Sequence, residues 1–352
     1  MALLDPAEWV GKTVGGWKID EHLGGGGFGQ AGAQYAMKLV QKHVVTKRGK
    51  VQKKESQESA ALCLERRMYA NWLKQQTAVP KLAPGQNYGV QGQGAEAVRY
   101  MVLQKCTSML SHVLQSHPDG LPAADVALLG LQLVRADLLR AFSALPQTLC
   151  AAHHTQMPVL KHLHSKGFVY VDMKADNIMF GLPPHEHQAY LLDYGCSQMY
   201  RNLFGKDKFQ APNANGTTLY ISTWAHDFQA PHPRNDLLSL AYLLCQCANG
   251  SLPWQFERSE AALIAAKRAC SPADMAGAVP ALAEFVRTVQ ELDLCSVEQL
   301  PYARLERILT SLAPASGRYS SCIVADGAAP AKAPAAGAAA ATAATGGSRR
   351  KR

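Results

Sequence analysis

Apolar residues recur along this chain in two rhythms, and the change of rhythm divides it. From Trp17 to Val40, short apolar runs surround a glycine cluster, as strands do about a turn. Gln34–Val40 (Q-Y-A-M-K-L-V) reads as one strand and Tyr100–Leu103 as another. Helical spacing marks Ala60–Leu73, Ser108–Leu114 and much of Ala123–Leu163. Asn235–Asn249 carries leucines on several faces (237, 238, 240, 243, 244), with Asn235 as a cap and Gly250 as a stop, so it is expected to be a deeply buried helix. Leu282, Phe285, Val286, Val289 and Leu292 fall on one helical face, and Leu305, Ile308, Leu309 and Leu312 repeat that pattern. No internal repeat is visible. A strand-rich first third and a helical remainder predict an α+β protein with two unequal lobes. The smaller would be an antiparallel sheet with one main helix and the larger mostly helical.

Composition narrows the setting. The chain has 352 residues, enough for two lobes with a core, and its 47% apolar content is ordinary for a globular protein. Nine scattered cysteines fit reduced thiols in a soluble intracellular protein of the nucleus or cytoplasm. Met1–Trp9 contains Asp5 and Glu8 and lacks a basic leader region, so no signal peptide is expected. Charge interrupts the apolar runs, as at Arg135 and Arg140, so no membrane span is expected either. The net charge of +9 is concentrated in two places. One is Lys42, Lys47, Arg48, Lys50, Lys53 and Lys54; the other is the segment from Pro314, with Arg318, Lys332 and Arg349–Arg352 against Asp326 alone. Such patches suit contact with acidic partners such as chromatin, or are simply solvated faces, and the body is no sequence-specific nucleic-acid binder. Residues 314–352 are Ala/Gly/Pro-rich and are expected to be a disordered tail with a basic end compatible with nuclear import.

The chemistry sits between Tyr170 and Gly195. Tyr170–Asn177 reads Y-V-D-M-K-A-D-N, which gives Asp172, Lys174 and Asn177 the spacing D-x-K-x-x-N. Asp193 follows Asp172 by 21 residues, at the end of a short apolar strand and before Tyr194 and Gly195. These segments supply one carboxylate to orient a hydroxyl (Asp172), one cation for a γ-phosphate (Lys174) and two hard oxygen ligands for Mg²⁺ (Asn177, Asp193). Gly24, Gly26 and Gly29 form G-x-G-x-x-G with Phe28 at the tip, and the strand that follows favours a phosphate-covering hairpin over a dinucleotide fold. Lys38, between apolar neighbours on that strand, needs anionic partners: ATP phosphates and a helix carboxylate. The carboxylate is Glu65, with Glu55 and Glu58 as competitors because pattern alone leaves the register open. Leu103, Gln104 and Cys106 end the Tyr100 strand, where backbone groups can receive an adenine edge. His153, His154, His162 and His164 complete no metal-ligand pattern and are expected to pack or face solvent.

These motifs together resemble a eukaryotic protein kinase, and more narrowly the vaccinia-related kinase family of the casein-kinase-like group. Asp193-Tyr194-Gly195, the Leu23–Gly29 loop, Glu65-Arg-Arg-Met-Tyr69, Gly216-Thr217, Ala225-His226, Asp236-Leu237, Gly250–Trp254, Val289–Asp293 and Tyr302–Leu309 carry the likeness, in order, from about Trp17 to Leu312. It favours Glu65 as the partner of Lys38. It implies the bilobal protein-kinase fold, Ser/Thr phosphorylation with ATP and Mg²⁺, and protein substrates that include histone or chromatin proteins. On that basis residues 1–16 form an N-terminal extension and 17–313 the kinase domain, with an N-lobe to about 103, a C-lobe from about 104 to 313 and an insertion at 135–156.

Four departures shape the expectations. Lys38 follows Gly29 by only nine positions, so the hairpin over the phosphates must be short; a non-catalytic kinase-fold scaffold is therefore the alternative. Arg135–Gln156 interrupts an expected long helix, and Pro146 argues that it bulges out. Tyr170-Val171 stands where most kinases have His-Arg, which removes the usual counter-charge for a phosphorylated activation loop. Cys196 follows Gly195 directly. A small-molecule kinase is a further rival, against which stands the long segment Gly216–Asp236.

Overall fold

The computed structural model describes residues 6–24, 28–30, 34–45, 51–134, 159–201, 216–321 and 323. In the N-terminal lobe the strands run β1 (Thr13–Val14), β2 (Trp17–Lys18), β3 (Glu21–Gly24), β4 (Phe28–Gln30), β5 (Tyr35–Gln41), β6 (His43–Val45), β7 (Val51–Glu55), β8 (Tyr88–Gln91) and β9 (Val98–Gln104). Five of them make one antiparallel sheet in the order β3-β4-β5-β9-β8. Alternation along β5 decides what each face does. Met37 and Leu39 pack with Val14, Ile19, Ala83, Val98, Tyr100 and Val102 on one face, so Lys38 must point to the other.

The opposite face meets a helix, Gln57–Met68, opened by Ser56, whose side chain accepts from the Ser59 amide. Its buried residues Ser59, Leu62, Glu65 and Met68 recur every third position, which puts Glu65 on the stripe turned inward. The helix starts before the expected Ala60 and widens into a π-turn at Tyr69–Leu73.

The larger lobe is built on the helices Ala123–Val134, Val159–Ser165, Pro233–Asn249, Ala281–Gln290 and Tyr302–Thr310. Every residue from Asp236 to Ala248 is buried, as the leucines on several faces predict. Its cap differs from the expectation. Pro233 opens the helix and the His232 side chain accepts from the Arg234 amide, which leaves Asn235 inside the first turn. Gly250 ends it at φ 76°, where a Cβ would fall 1.8 Å from the Pro118 carbonyl oxygen. Cys106–Met109 is a strand, β10, and the helix expected from Ser108 begins only at Leu110. β10 pairs with β12 (Ile178–Gly181), and β12 with β13 (Ala189–Leu191), while β11 (Phe168–Val169) pairs with β14 (Gln198–Met199). The loop Tyr170–Asn177 therefore leaves β11 and enters β12, and Leu192–Gly195 leaves β13 beside it.

Ordered chain continues on either side of the segment 17–313. Residues 6–16 pack on the N-lobe: β1 pairs with β2, and Val14 is fully buried. At the other end the chain stays folded past Pro314, because Tyr319 and Ile323 are buried. The Tyr319 ring lies edge-on to Phe180 with centroids 5.3 Å apart. Its amide donates to His187 Nδ1, and the Ser320 amide donates to Asp125 Oδ1. The insertion at 135–156 and the chain from 324 onward lie outside the described residues. No helix among the described residues is long and apolar enough to cross a membrane.

Candidate functional site

Three charged groups meet between the lobes. Lys38 Nζ lies 3.0 Å from Glu65 Oε2 and 3.2 Å from Asp193 Oδ1. Of the sequence competitors, Glu55 is drawn away by Arg99, 2.6 Å distant. Burial alone would depress the Lys38 amine, but Glu65 and then Asp193 more than reverse this and raise it above its ordinary value. Burial pushes Glu65 up, to about 7, with Lys38 opposing and Asp193 adding to the rise. Asp193 has a left-handed backbone (φ 55°), and its Oδ1 accepts from the Gly195 amide at 3.3 Å. That conformation turns the chain so that the carboxylate faces Lys38 while Tyr194 turns inward.

Tyr194 is the middle of an aromatic column. Its ring lies edge-on to Tyr69, 5.4 Å away at the end of the helix that carries Glu65, and edge-on to Tyr170, 5.3 Å away in the loop. The Tyr170 hydroxyl donates to the Leu192 carbonyl, and the Leu192 amide donates to the Asn177 carbonyl at 2.9 Å. The column and these two bonds fix the Asp193 segment against the loop that holds Asp172.

Asp172 is gripped on both oxygens. Its Oδ1 accepts from the Thr217 amide (3.0 Å) and the Thr217 hydroxyl (2.9 Å). Lys174 Nζ sits 2.8 Å from its Oδ2. Asn177 Nδ2 donates to the Asp172 carbonyl (2.9 Å) and approaches Oδ2 (3.2 Å). Thr217 comes this close because the preceding residue is glycine: Gly216 has φ 106°, and a Cβ there would lie 3.0 Å from the Val171 carbonyl oxygen.

Beneath the loop, buried Asp236 accepts from the Tyr170 amide (2.6 Å) and the Val171 amide (2.8 Å). His164 Nε2 lies 2.8 Å from its Oδ2, and His164 Nδ1 bonds the Tyr302 hydroxyl. The carboxylate oxygen accepts, so His164 Nε2 is the donor to Asp236 and Nδ1 is left to the Tyr302 hydroxyl. Val171 is held here at φ 78°, rare for a β-branched residue.

The structure thus brings together Lys38, Glu65 and Asp193, and separately Asp172, Lys174 and Asn177. Gly24 ends β3; Phe28 and Gly29 lie in β4, and Gly26 is outside the described residues. β4 pairs with β5 so that Phe28 stands opposite Lys38 and Gln30 opposite Ala36. The nine-position spacing therefore shortens the far end of the hairpin and keeps the pairing next to Lys38. Leu103 and Gln104 close β9, and Cys106 opens β10. The Gln104 amide donates to the Lys81 carbonyl and the Lys105 amide to the Gln34 carbonyl, so these two donors are committed within the N-lobe. Burial pushes the Cys106 thiol up to about 12. Cys196 reaches the surface, yet the protein packed around its thiol, and then Asp172 and Asp193, raise it and make it a poor nucleophile. His162 bonds the Trp72 carbonyl, and His153 and His154 lie outside the described residues.

Thr217, Asp236 and His164 gained no role from the sequence. Gly216-Thr217 and Asp236-Leu237 stood out only as points of family likeness, and His164 as one of several helix histidines.

A strand lysine paired to a helix carboxylate, an aspartate before Tyr-Gly and a D-x-K-x-x-N loop between two lobes are features of a bilobal kinase fold. The chain belongs to the protein kinase family: the family model described as "Protein kinase domain" matches residues 17–305. Among curated proteins it is similar to serine/threonine-protein kinase VRK1 of Caenorhabditis briggsae, with 31% identity over 160 residues, 45% of this chain. The chain spans 24% of the length of that relative.

Proposed function

We propose that this chain is an active Ser/Thr protein kinase of the vaccinia-related type, which transfers the γ-phosphate of Mg-ATP to protein hydroxyls. The carrying observation is the grip on Asp172: both carboxylate oxygens are occupied, by Thr217 on one side and by Lys174 and Asn177 on the other. A carboxylate so fixed can orient an acceptor hydroxyl and take its proton as the oxygen–phosphorus bond forms. In this reading Lys174, paired with Asp172, neutralises charge on the transferring group, and Lys38, paired with Glu65, meets the phosphates. Little covalent work falls to the protein.

The donor set fits Mg²⁺. Asn177 gives its amide nitrogen to Asp172, which leaves its carbonyl oxygen as the ligand end, and the Asp193 side chain is 40% exposed. Among the described residues no cluster of three or more His, Cys, Asp or Glu could hold an ion alone, so nucleotide phosphates and water would complete the shell. The ion would supply positive charge to the bridging phosphate oxygens.

The scaffold alternative rests on the short hairpin, and the Phe28–Lys38 pairing supports a working cover instead. Thermal melts separate the two: Mg-ATP at 100 times Kd stabilises a binder by about 2.7 kcal/mol. Acceptor class is part of the proposal, with the basic Lys42–Lys54 stretch supporting nuclear or chromatin-associated substrates. A radiolabelled-phosphate assay on histones and casein against sugars and amino alcohols tests it. Asp172→Asn should abolish transfer and spare the Mg-ATP melting shift; unchanged turnover would defeat the assignment.

A further inference from the structure

Lys267 lies on the Glu260–Ala269 helix with 1% of its surface exposed. Among the described residues no carboxylate pairs with it. Its Nζ donates to the carbonyls of Thr218 (2.6 Å) and Ile221 (2.8 Å) and stands 3.2 Å from His226 Nε2. The rings of Tyr242 and Trp254 lie 5.3 and 5.6 Å away. An ammonium has three N–H donors, and three acceptors await them. Burial, then Lys267 and Arg268, depress His226 to about 4, so the imidazole is neutral, and the ammonium 3.2 Å from Nε2 selects the tautomer with the lone pair on that nitrogen. Burial also draws the Lys267 amine down to about 7; the acceptors and ring faces compensate the charged form.

The carbonyls that Lys267 binds belong to the turn that carries Thr217. Neighbouring groups hold the same turn: Trp254 Nε1 donates to the Leu219 carbonyl (3.0 Å), and the Tyr220 hydroxyl to Gln246 Oε1 (2.5 Å). The carbonyls of 218, 219 and 221 thus face into the helical lobe. With them turned that way, the amide and hydroxyl of Thr217 face Asp172. An apolar side chain in place of Lys267 would fill the volume and strand two carbonyls.

We propose that Lys267 is a positioning residue for phosphotransfer, clamping the 216–221 turn from below so that Thr217 holds Asp172 in the orientation the acceptor hydroxyl requires. This rests on the reading of Asp172 given above. The amine acts at a distance, since Thr217 and the turn's backbone stand between it and the reacting atoms.

Lys267→Met keeps the stem and removes the amine. Its kcat on a peptide substrate should fall between about tenfold and a hundredfold, the scale of a misplaced catalytic group, while KM for ATP stays within about twofold. Thr217→Val should lose a similar factor, and the double variant should be no slower than the slower single one, because both act through one contact. Wild-type kcat in Lys267→Met, additive losses, or an equal loss of ATP affinity each overturn the proposal. If Lys267→Met does not fold, His226→Leu removes one acceptor and leaves the amine; kcat should drop about threefold or more with ATP KM kept, and an unchanged kcat overturns the clamp. A wild-type chain that transfers no phosphate defeats the functional reading instead. The clamp is then read from amide exchange at residues 217–221, expected about tenfold or more faster in Lys267→Met; unaltered exchange overturns it.

Discussion

Asp236→Asn tests how the loop is supported. At 1% exposure Asp236 faces three N–H groups: Tyr170 and His164 on Oδ2, and Val171 on Oδ1. Asparagine replaces one oxygen with a donor, so at least one of these N–H groups meets another donor. A hydrogen bond to a charged acceptor contributes about 1.5–3 kcal/mol net, and stranding a buried donor adds about 1–3. The Val171 conformation itself holds about 1–3 kcal/mol of strain, which the lost bond no longer restrains. We expect a loss of about 3–5 kcal/mol, the usual size for breaking a buried charged contact, and a Tm lower by roughly 6–20 °C. Relaxation of Val171 displaces its neighbour Asp172, so kcat should fall by about a hundredfold. Thermal melts and initial rates at saturating ATP provide the readouts. A Tm within about 2 °C of wild type, or wild-type kcat, would refute the reasoning.

Other expectations follow from the charged cluster. Asp193→Asn should weaken Mg-ATP binding by about tenfold or more, read by titration calorimetry, with peptide affinity retained. Phosphatase treatment should leave activity standing, because Val171 offers no guanidinium to a phosphorylated activation loop; a large loss of rate would contradict this. Glu65 is raised from 4.5 to about 7, so folding favours its protonated form; that contribution to stability is complete below about 4.5 and lost as pH rises through about 7. Protonation also takes a counter-charge from Lys38, so Mg-ATP affinity should drop between pH 8 and 6, and Glu65→Gln should flatten the profile.

Local pattern made much of this readable. Asp172, Lys174 and Asn177 lie within one loop, so their spacing alone places them together. Gly250 shows at a helix end as an interruption of periodicity, whereas the pattern left Glu65 level with Glu55 and Glu58 and the family likeness favoured it. What stayed hidden depends on contacts across the chain. Thr217 reaches Asp172 over 45 residues, and Lys267 reaches Ile221 over 46; no local signal marks either. Ser108 belongs to a strand because β10 finds a partner in β12, which outweighs the helical look of its neighbours. Tyr319 lies in a stretch too poor in large apolar residues to fold by itself, and it is ordered by a surface that Phe180 and His187 provide.

That last contact decides where a shortened version of this kinase could be cut. The helix Tyr302–Thr310 ends nine residues before Tyr319, and a boundary drawn just after it would remove an aromatic residue that is 4% exposed. The faces of Phe180 and His187 beneath it would open to water, and Asp125 would lose the Ser320 amide that it accepts. Phe180 lies in β12, the strand that leads directly out of the Asp172 loop. A truncation after Thr310 would therefore be felt as a loosened floor under the active loop, and it would pass for a catalytic defect.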